Sequence, residues 1–199
     1  MSYNNIMPII RDVIAVVAPL FAVIIAWLGL QTWRKQLKGN KSYELSLKML
    51  AAVYKVRNAI YNTRQHPLIG VEVINALNTY GIENNNKIND AEVYKAVYNL
   101  RWDKVMQCVA EYDVIKNEVE VLWGDEVINK FEKFEMLFKK MYVQILKILS
   151  VKKTDDILKL LHENPPNILF YISDEDAFSI EFKNAIKDIE VYLWQKMKV

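Results

Sequence analysis

Three arginines stand three residues after a tyrosine each: Arg57 after Tyr54, Arg64 after Tyr61 and Arg101 after Tyr98. All three fall on seams of apolar residues, whereas lysines fill the outward positions. A guanidinium keeps its charge at any ordinary pH, and burying it without a partner is costly, so an arginine in a seam should meet a carboxylate or an anionic ligand. The chemistry this pattern admits is anion binding, with Arg57, Tyr61, Arg64 and Arg101 as the site and the 66–89 segment as its cover. The plainer expectation is that these positions lie at the ends of their stripes. There an arginine lays its stem over apolar surface and keeps its head in water.

No other residue pattern supplies a reaction. The chain has two histidines, His66 and His162, and neither follows a glutamate by three or four residues, so the metal-binding helix motifs Glu-x-x-His and HExxH are missing. One cysteine, Cys108, and two distant histidines do not make the four ligands of a structural zinc site. Cys108 falls on a core stripe, where an inert thiol is expected. Gly70, Gly81 and Gly124 stand apart, so no glycine-rich phosphate loop is formed. Glu118 with Glu120 and Asp155 with Asp156 have the placing of solvated helix surface and caps. The expectation is a non-enzyme with no catalytic residue, cofactor or metal.

The elements that must position the arginines are helices. Tyr43, Leu47, Leu50, Tyr54, Arg57, Tyr61 and Arg64 recur at steps of 4 and 3 after a break at Gly39-Asn40, with Leu45, Met49, Ala52, Val56 and Ile60 widening the same face. Pro67 restricts His66 and should stop this helix near Gln65. Residues 66–89 read as a long loop holding one short helix at 71–79. Asn89 caps the next helix, whose stripe is Tyr94, Tyr98, Arg101, Val105, Cys108, Tyr112, Ile115, Val119 and Leu122. Gly124 and Asp125 predict a tight reversal into a seam of Val127, Phe131, Phe134, Phe138, Met141, Ile145 and Ile148. A short helix from Asp155 to His162 ends before Pro165-Pro166, and residues 167–171 predict an extended segment over the core. Ser173 to Asp176 caps a last helix with the seam Phe178, Phe182, Ala185, Ile189 and Tyr192. Short connections give antiparallel neighbours, so residues 42–199 predict an all-α antiparallel bundle of about four long helices.

Ahead of the bundle, residues 13–33 hold twenty-one positions without a charged side chain. A bilayer core of roughly 30 Å needs about twenty apolar residues at 1.5 Å rise, so this run predicts a transmembrane helix within an N-terminal segment, residues 1–33. A cleaved signal peptide would carry its basic residues before the apolar core and end in small ones. Here Arg34, Lys35, Lys38 and Lys41 follow as a basic linker, 34–41, and Trp27 and Trp33 fill the exit. One arginine, Arg11, precedes the span, so the charge bias orients the N-terminus outside and residues 42–199 in the cytoplasm. The four basic residues are expected on the membrane surface, each drawn to anionic lipid by about 1 kcal/mol. Pro19 should kink the span.

Net charge is +2 with 26 basic and 24 acidic residues, which lacks the broad basic field of a nucleic-acid binder. Lysine outnumbers arginine 21 to 5 and Asn, Ile and Tyr are plentiful, the residue usage of an AT-rich bacterial genome. The single cysteine fits a reducing compartment and excludes an internal disulfide.

Residues 33–39 (WRKQLKG), residues 43–64 (YELSLKMLAAVYKVRNAIYNTR) and the His66-Pro67 break resemble a group of short bacterial membrane-anchored proteins of uncharacterised function, to which residues 184–197 are also similar. The resemblance covers about a third of the chain and implies one N-terminal membrane helix, then a cytoplasmic helical bundle. It implies no reaction.

Two readings of function follow. In one, the chain is a non-enzymatic interaction or sensor module at the cytoplasmic face of a bacterial inner membrane, with the lipid bilayer and a protein or a second copy as partners and no nucleic acid. In the other it is a membrane effector, as in phage defence, whose anchors assemble on a signal and perturb the bilayer. Ala15, Ala18, Ala22, Ala26 and Gly29 recur at spacings of 3 and 4, which permits close helix contact but lines no polar lumen. The first reading therefore leads.

Overall fold

The computed structural model describes residues 6–65, 68–82, 89–162 and 168–198, and among these not the side chains of residues 6–10, 12–14, 16, 18 and 162. Six helices make up the described chain: α1 (Ile6–Thr63), α2 (Gly70–Thr79), α3 (Asp90–Trp123), α4 (Glu126–Ser150), α5 (Thr154–His162) and α6 (Ala177–Met197). No strand occurs among the described residues, so the fold is all-α.

Four of the helices close a ring. α1 packs on α3 and α6, and α4 packs on the same two from the opposite side. Cross-helix pairs fix the directions. Lys55 pairs with Glu111 across α1 and α3, Ser42 reaches the Lys196 carbonyl across α1 and α6, and Lys196 pairs with Glu126 while Lys140 pairs with Glu181 across α4 and α6. Arg101 also meets the Thr63 carbonyl across α1 and α3, Tyr54 meets Glu190 across α1 and α6, and the pairs Tyr112–Glu135 and Trp102–Tyr142 join α3 to α4. The residue numbers run in opposite senses in each adjoining pair of the ring, so these neighbours are antiparallel.

The reversal between α3 and α4 is the one the sequence marks. Gly124 takes φ 73°, a conformation in which a Cβ is strained, and its N–H donates to the Glu120 carbonyl at 2.7 Å. Asp125 follows as the cap residue but makes no side-chain cap bond. Asn89 does cap α3, accepting from the Ala91 N–H at 3.1 Å, and Asp176 caps α6, accepting from the Ser179 N–H at 2.8 Å.

The core is a stack of aromatics and branched residues drawn from all four long helices. Phe131, Phe134, Leu137, Met141, Ile145 and Ile148 of α4 meet Phe178, Phe182, Ile186 and Ile189 of α6, with Phe134 stacked on Phe182 at 5.3 Å. The α6 seam is the expected one, and in α4 Leu137 takes the buried place expected of Phe138, which packs at the edge.

Two expectations need correction. Gly39-Asn40 does not break the chain: α1 is one helix of 58 residues, about 87 Å at 1.5 Å per residue. A helical glycine costs only about 1 kcal/mol relative to alanine, less than the packing that begins at Ser42 and Leu45 returns. The buried face of α1 is also rotated. Leu45, Met49, Ala52, Val53, Val56 and Ile60 form it, while Tyr43, Leu47 and Tyr61 are exposed. The stripe and its flank both have helical period, and the flank carries the aliphatic side chains that fit between α3 and α6.

From Ala15 to Lys41 none of the described side chains is buried, and the basic residues Arg34, Lys35, Lys38 and Lys41 are all exposed. Among the described residues no helix is long and apolar enough to cross a membrane. Val13, Ile14, Val16 and Ala18, which open the uncharged run, lie outside the described side chains. So do His66, Pro67, Pro165 and Pro166, while the short helix expected at 71–79 is present as α2. Residues 168–173 are irregular, with bends at 168–170 in place of the expected extended run, and they lie against the core, with Leu169 buried and the Tyr171 N–H donating to the Arg64 carbonyl at 3.0 Å.

Candidate functional site

The C-terminus of α1 is the point where the seam arginines converge, and the backbone explains why. A helix ends with carbonyl groups that lack an intrahelical partner. Arg101 of α3 donates from Nη1 to the Gln65 carbonyl at 2.6 Å and to the Thr63 carbonyl at 3.4 Å. Its Nε and Nη2 grip Glu72 in the first turn of α2 at 2.7 and 2.6 Å. One guanidinium thereby closes α1, anchors α2 and finds its counter-charge. The Arg101 hydrogen bond, opposed by burial, holds the Glu72 carboxyl below the usual carboxylate range.

Arg64 makes the second clamp. Its Nε donates to the Ile168 carbonyl at 2.7 Å, Nη1 to Ser179 Oγ at 2.8 Å, and Nη2 to both oxygens of Asp176 at 3.0 Å. Burial pushes the Asp176 carboxyl up, but the Ser179 amide and hydroxyl, together with Arg64, hold it below its ordinary value. Burial likewise lowers Arg64, against the pull of Asp176. Arg64 and Arg101 are 3% and 5% exposed, so their heads are not in water. For these two the expectation of solvated stripe ends is corrected, because internal carboxylates and carbonyls take the charge, whereas Arg57 is half-buried and has no such partner among the described residues.

The four residues of the expected anion site are therefore divided. Arg101 faces α2. Arg57, Tyr61 and Arg64 share a cleft of about 500 Å³ between α1 and α6. The spacing of Arg57, Ile60, Tyr61 and Arg64 puts them on one face of α1. Across the cleft α6 contributes Ser179, Phe182, Lys183, Ile186, Lys187 and Glu190, and Asp174 closes one end. Ile60, Phe182 and Ile186 are buried and make an apolar floor.

The charges in this cleft are unequally engaged. Glu190 accepts from Tyr54 Oη at 2.6 Å and Asp174 accepts from Tyr171 Oη at 2.9 Å. The Glu190 hydrogen bond, with burial behind it, raises the Tyr54 hydroxyl, so that hydroxyl stays a donor. Arg57 has its guanidinium 4.4 Å from the Tyr54 ring centre and, among the described residues, hydrogen-bonds only to Asn58 Oδ1, at 3.1 Å. Neither Arg57 nor Lys183 nor Lys187 has an ion-pair partner among the described residues.

No family model, no curated protein and no solved structure matches this chain. The residues themselves carry the chemistry. Burial, followed by the charge of Glu111, pushes the Cys108 thiol up, which disfavours its thiolate. Among the described residues no group of three or more His, Cys, Asp or Glu is placed to hold a metal. What the cleft offers is cationic hydrogen-bond donors over an apolar floor.

Lys183, Lys187, Glu72 and Asp176 were not legible as site residues. Lys183 and Lys187 read as outward lysines of α6, and only the apposition of α1 gives them a shared cleft. Asp176 was legible as a cap but not as the partner of Arg64, because 112 residues separate them.

Proposed function

We propose that the chain is a single-pass membrane protein whose helical bundle works on the cytoplasmic side as a non-enzymatic interaction or sensor module. One observation carries this reading: a helix that emerges from the bundle with its apolar side chains uncovered. Phe21, Val23, Ile25, Trp27 and Trp33 are each more than half exposed, and they sit in the uncharged run of residues 13–33, whose full length is read from the sequence. A continuous apolar surface of this kind is unfavourable in water and favourable in lipid. Lipid tails are the solvent that suits it.

The basic residues support the same reading. Arg34, Lys35, Lys38 and Lys41 follow the apolar run directly and are exposed, the arrangement that anionic headgroups on the cytoplasmic face attract. Because α1 continues from the apolar run into the bundle, a displacement of the anchor would be carried to the clamps of Arg64 and Arg101 without a flexible joint. That continuity favours a module that relays an event over a passive tether, with a protein or a second copy as its partner.

Membrane fractionation tests it. Full-length chain that stays in the pellet after alkaline carbonate extraction and enters the supernatant only with detergent is the expected result. Recovery in the carbonate supernatant would overturn the reading.

A further inference from the structure

We propose that the α1/α6 cleft binds a small organic anion, a phosphate or carboxylate attached to an apolar or aromatic body. Small-molecule sites are concave, mostly apolar and supplied with a few convergent polar groups, in volumes of roughly 300–1,000 Å³. The cleft has about 500 Å³, an apolar floor at Ile60, Phe182 and Ile186, and Arg57, Lys183 and Lys187 on its walls.

The state of the charges selects the sign of the ligand. Both acids of the cleft, Glu190 and Asp174, already accept a tyrosine hydroxyl. Arg57, Lys183 and Lys187 make no ion pair among the described residues, and since a phenol hydrogen bond leaves a carboxylate its charge, these three cations against Glu190 and Asp174 leave the cavity with one positive charge in excess. Arg57 Nε is turned to Asn58, which leaves its two terminal amino groups in the geometry that grips two oxygens of one carboxylate or phosphate. Arg64 cannot play that part because Asp176 occupies it. Its place in the cleft is as a fixed wall.

Position selects a soluble ligand over a lipid headgroup. Arg57 lies sixteen residues beyond Lys41 on the same helix, about 24 Å from the basic exit of the apolar run. The cleft lies toward the end of the bundle where Asp174 closes it, away from the end that α1 leaves. It does not depend on whether α1 crosses a bilayer.

Lysine labelling of the full-length chain in detergent micelles tests the site with pyridoxal 5′-phosphate as the probe, an aromatic aldehyde that carries a phosphate. Its carbonyl condenses with a lysine amine with loss of water, and borohydride delivers hydride to the imine carbon to leave a stable secondary amine. Peptide mass spectrometry then reads the rate at each lysine. Lys183 and Lys187 are expected to label roughly tenfold faster than the exposed Lys48 and Lys152, the effect of one additional unit of log affinity at the cleft. Adenosine monophosphate should suppress the preference, and inorganic phosphate at equal concentration should suppress it less. Arg57→Ala should lower it several-fold while the far-ultraviolet circular dichroism is unchanged, since Arg57 bonds to no other helix among the described residues. Equal rates at all four lysines, or a preference indifferent to adenosine monophosphate or to Arg57→Ala, would overturn the proposal.

Discussion

Asp176 accepts two hydrogen bonds from Arg64 Nη2 at 3.0 Å while its Oδ1 caps α6 through the Ser179 N–H. One carboxylate therefore starts the last helix and neutralises the arginine at the end of the first. The same logic recurs at Glu72, which opens α2 and holds Arg101. Each arginine in turn bonds to backbone carbonyls of a neighbouring segment, so the ends of three helices are joined through two ion pairs.

Removing one partner of such a pair should cost more than an ordinary cap. Asp176→Ala leaves the Arg64 charge buried at 3% exposure, and should destabilise the fold by about 3–5 kcal/mol. Glu72→Ala should cost less, about 2 kcal/mol, because Glu72 is 21% exposed and water takes part of the Arg101 charge. Denaturant unfolding followed by circular dichroism ranks the two. An Asp176→Ala loss no larger than that of an isolated cap, about 1 kcal/mol, would deny the clamp its role.

Stability should fall at both ends of the pH scale. Glu72 and Asp176 have folded pKa values below their unfolded ones, so their contribution is complete above the unfolded value and is lost as pH drops through the folded one. At the alkaline end the sign is reversed. Burial pushes the Tyr98 and Tyr192 hydroxyls up to about 12, and Tyr112 rises for the same reason, with Glu135 adding to it. These raised groups favour the fold below the unfolded value near 10 and withdraw that support as pH climbs toward the folded one. Among the described residues Tyr98 Oη and Tyr192 Oη are buried without a hydrogen-bond partner, and the Arg101 charge offsets only part of the effect of burial on Tyr98. The melting temperature should hold between pH 6 and 9, roughly, and decline on either side. A midpoint that rises above pH 10, roughly, would contradict the burial of these tyrosines.

The rotated face of α1 gives a sharper test of packing. Met49→Ala should cost about 2–5 kcal/mol, since Met49 is wholly buried, whereas Leu47→Ala, at 44% exposure, should cost less than about 1 kcal/mol. Equal losses would restore the unrotated seam.

That pair of residues also marks what periodicity can and cannot reveal. Helix type and order were legible, because seams such as Val127, Phe131, Phe134, Met141, Ile145 and Ile148 repeat cleanly and Gly124 punctuates them. On α1 two adjacent stripes, one through Leu47 and one through Met49, carry the same period. The choice between them is made by the volumes α3 and α6 present, which no local pattern contains. Gly39-Asn40 is similar: its local breaking tendency is about 1 kcal/mol, and contacts beginning at Ser42 outweigh it. The arginines were legible as misplaced charges. Their partners were not, because Asp176 and Glu72 lie 112 and 29 residues away. Lys183 and Lys187 carried no signal of their own.

Site-directed labelling in intact cells reaches the central claim, that α1 crosses a membrane and leaves the bundle in the cytoplasm. In a Cys108→Ser background, single cysteines at Ser2→Cys and Lys152→Cys are exposed to a membrane-impermeant maleimide before and after permeabilisation. The account predicts that the Ser2→Cys site reacts in intact cells and that the Lys152→Cys site reacts only once the membrane is opened. Protection of both sites until permeabilisation, with the chain recovered in the soluble fraction, would contradict it.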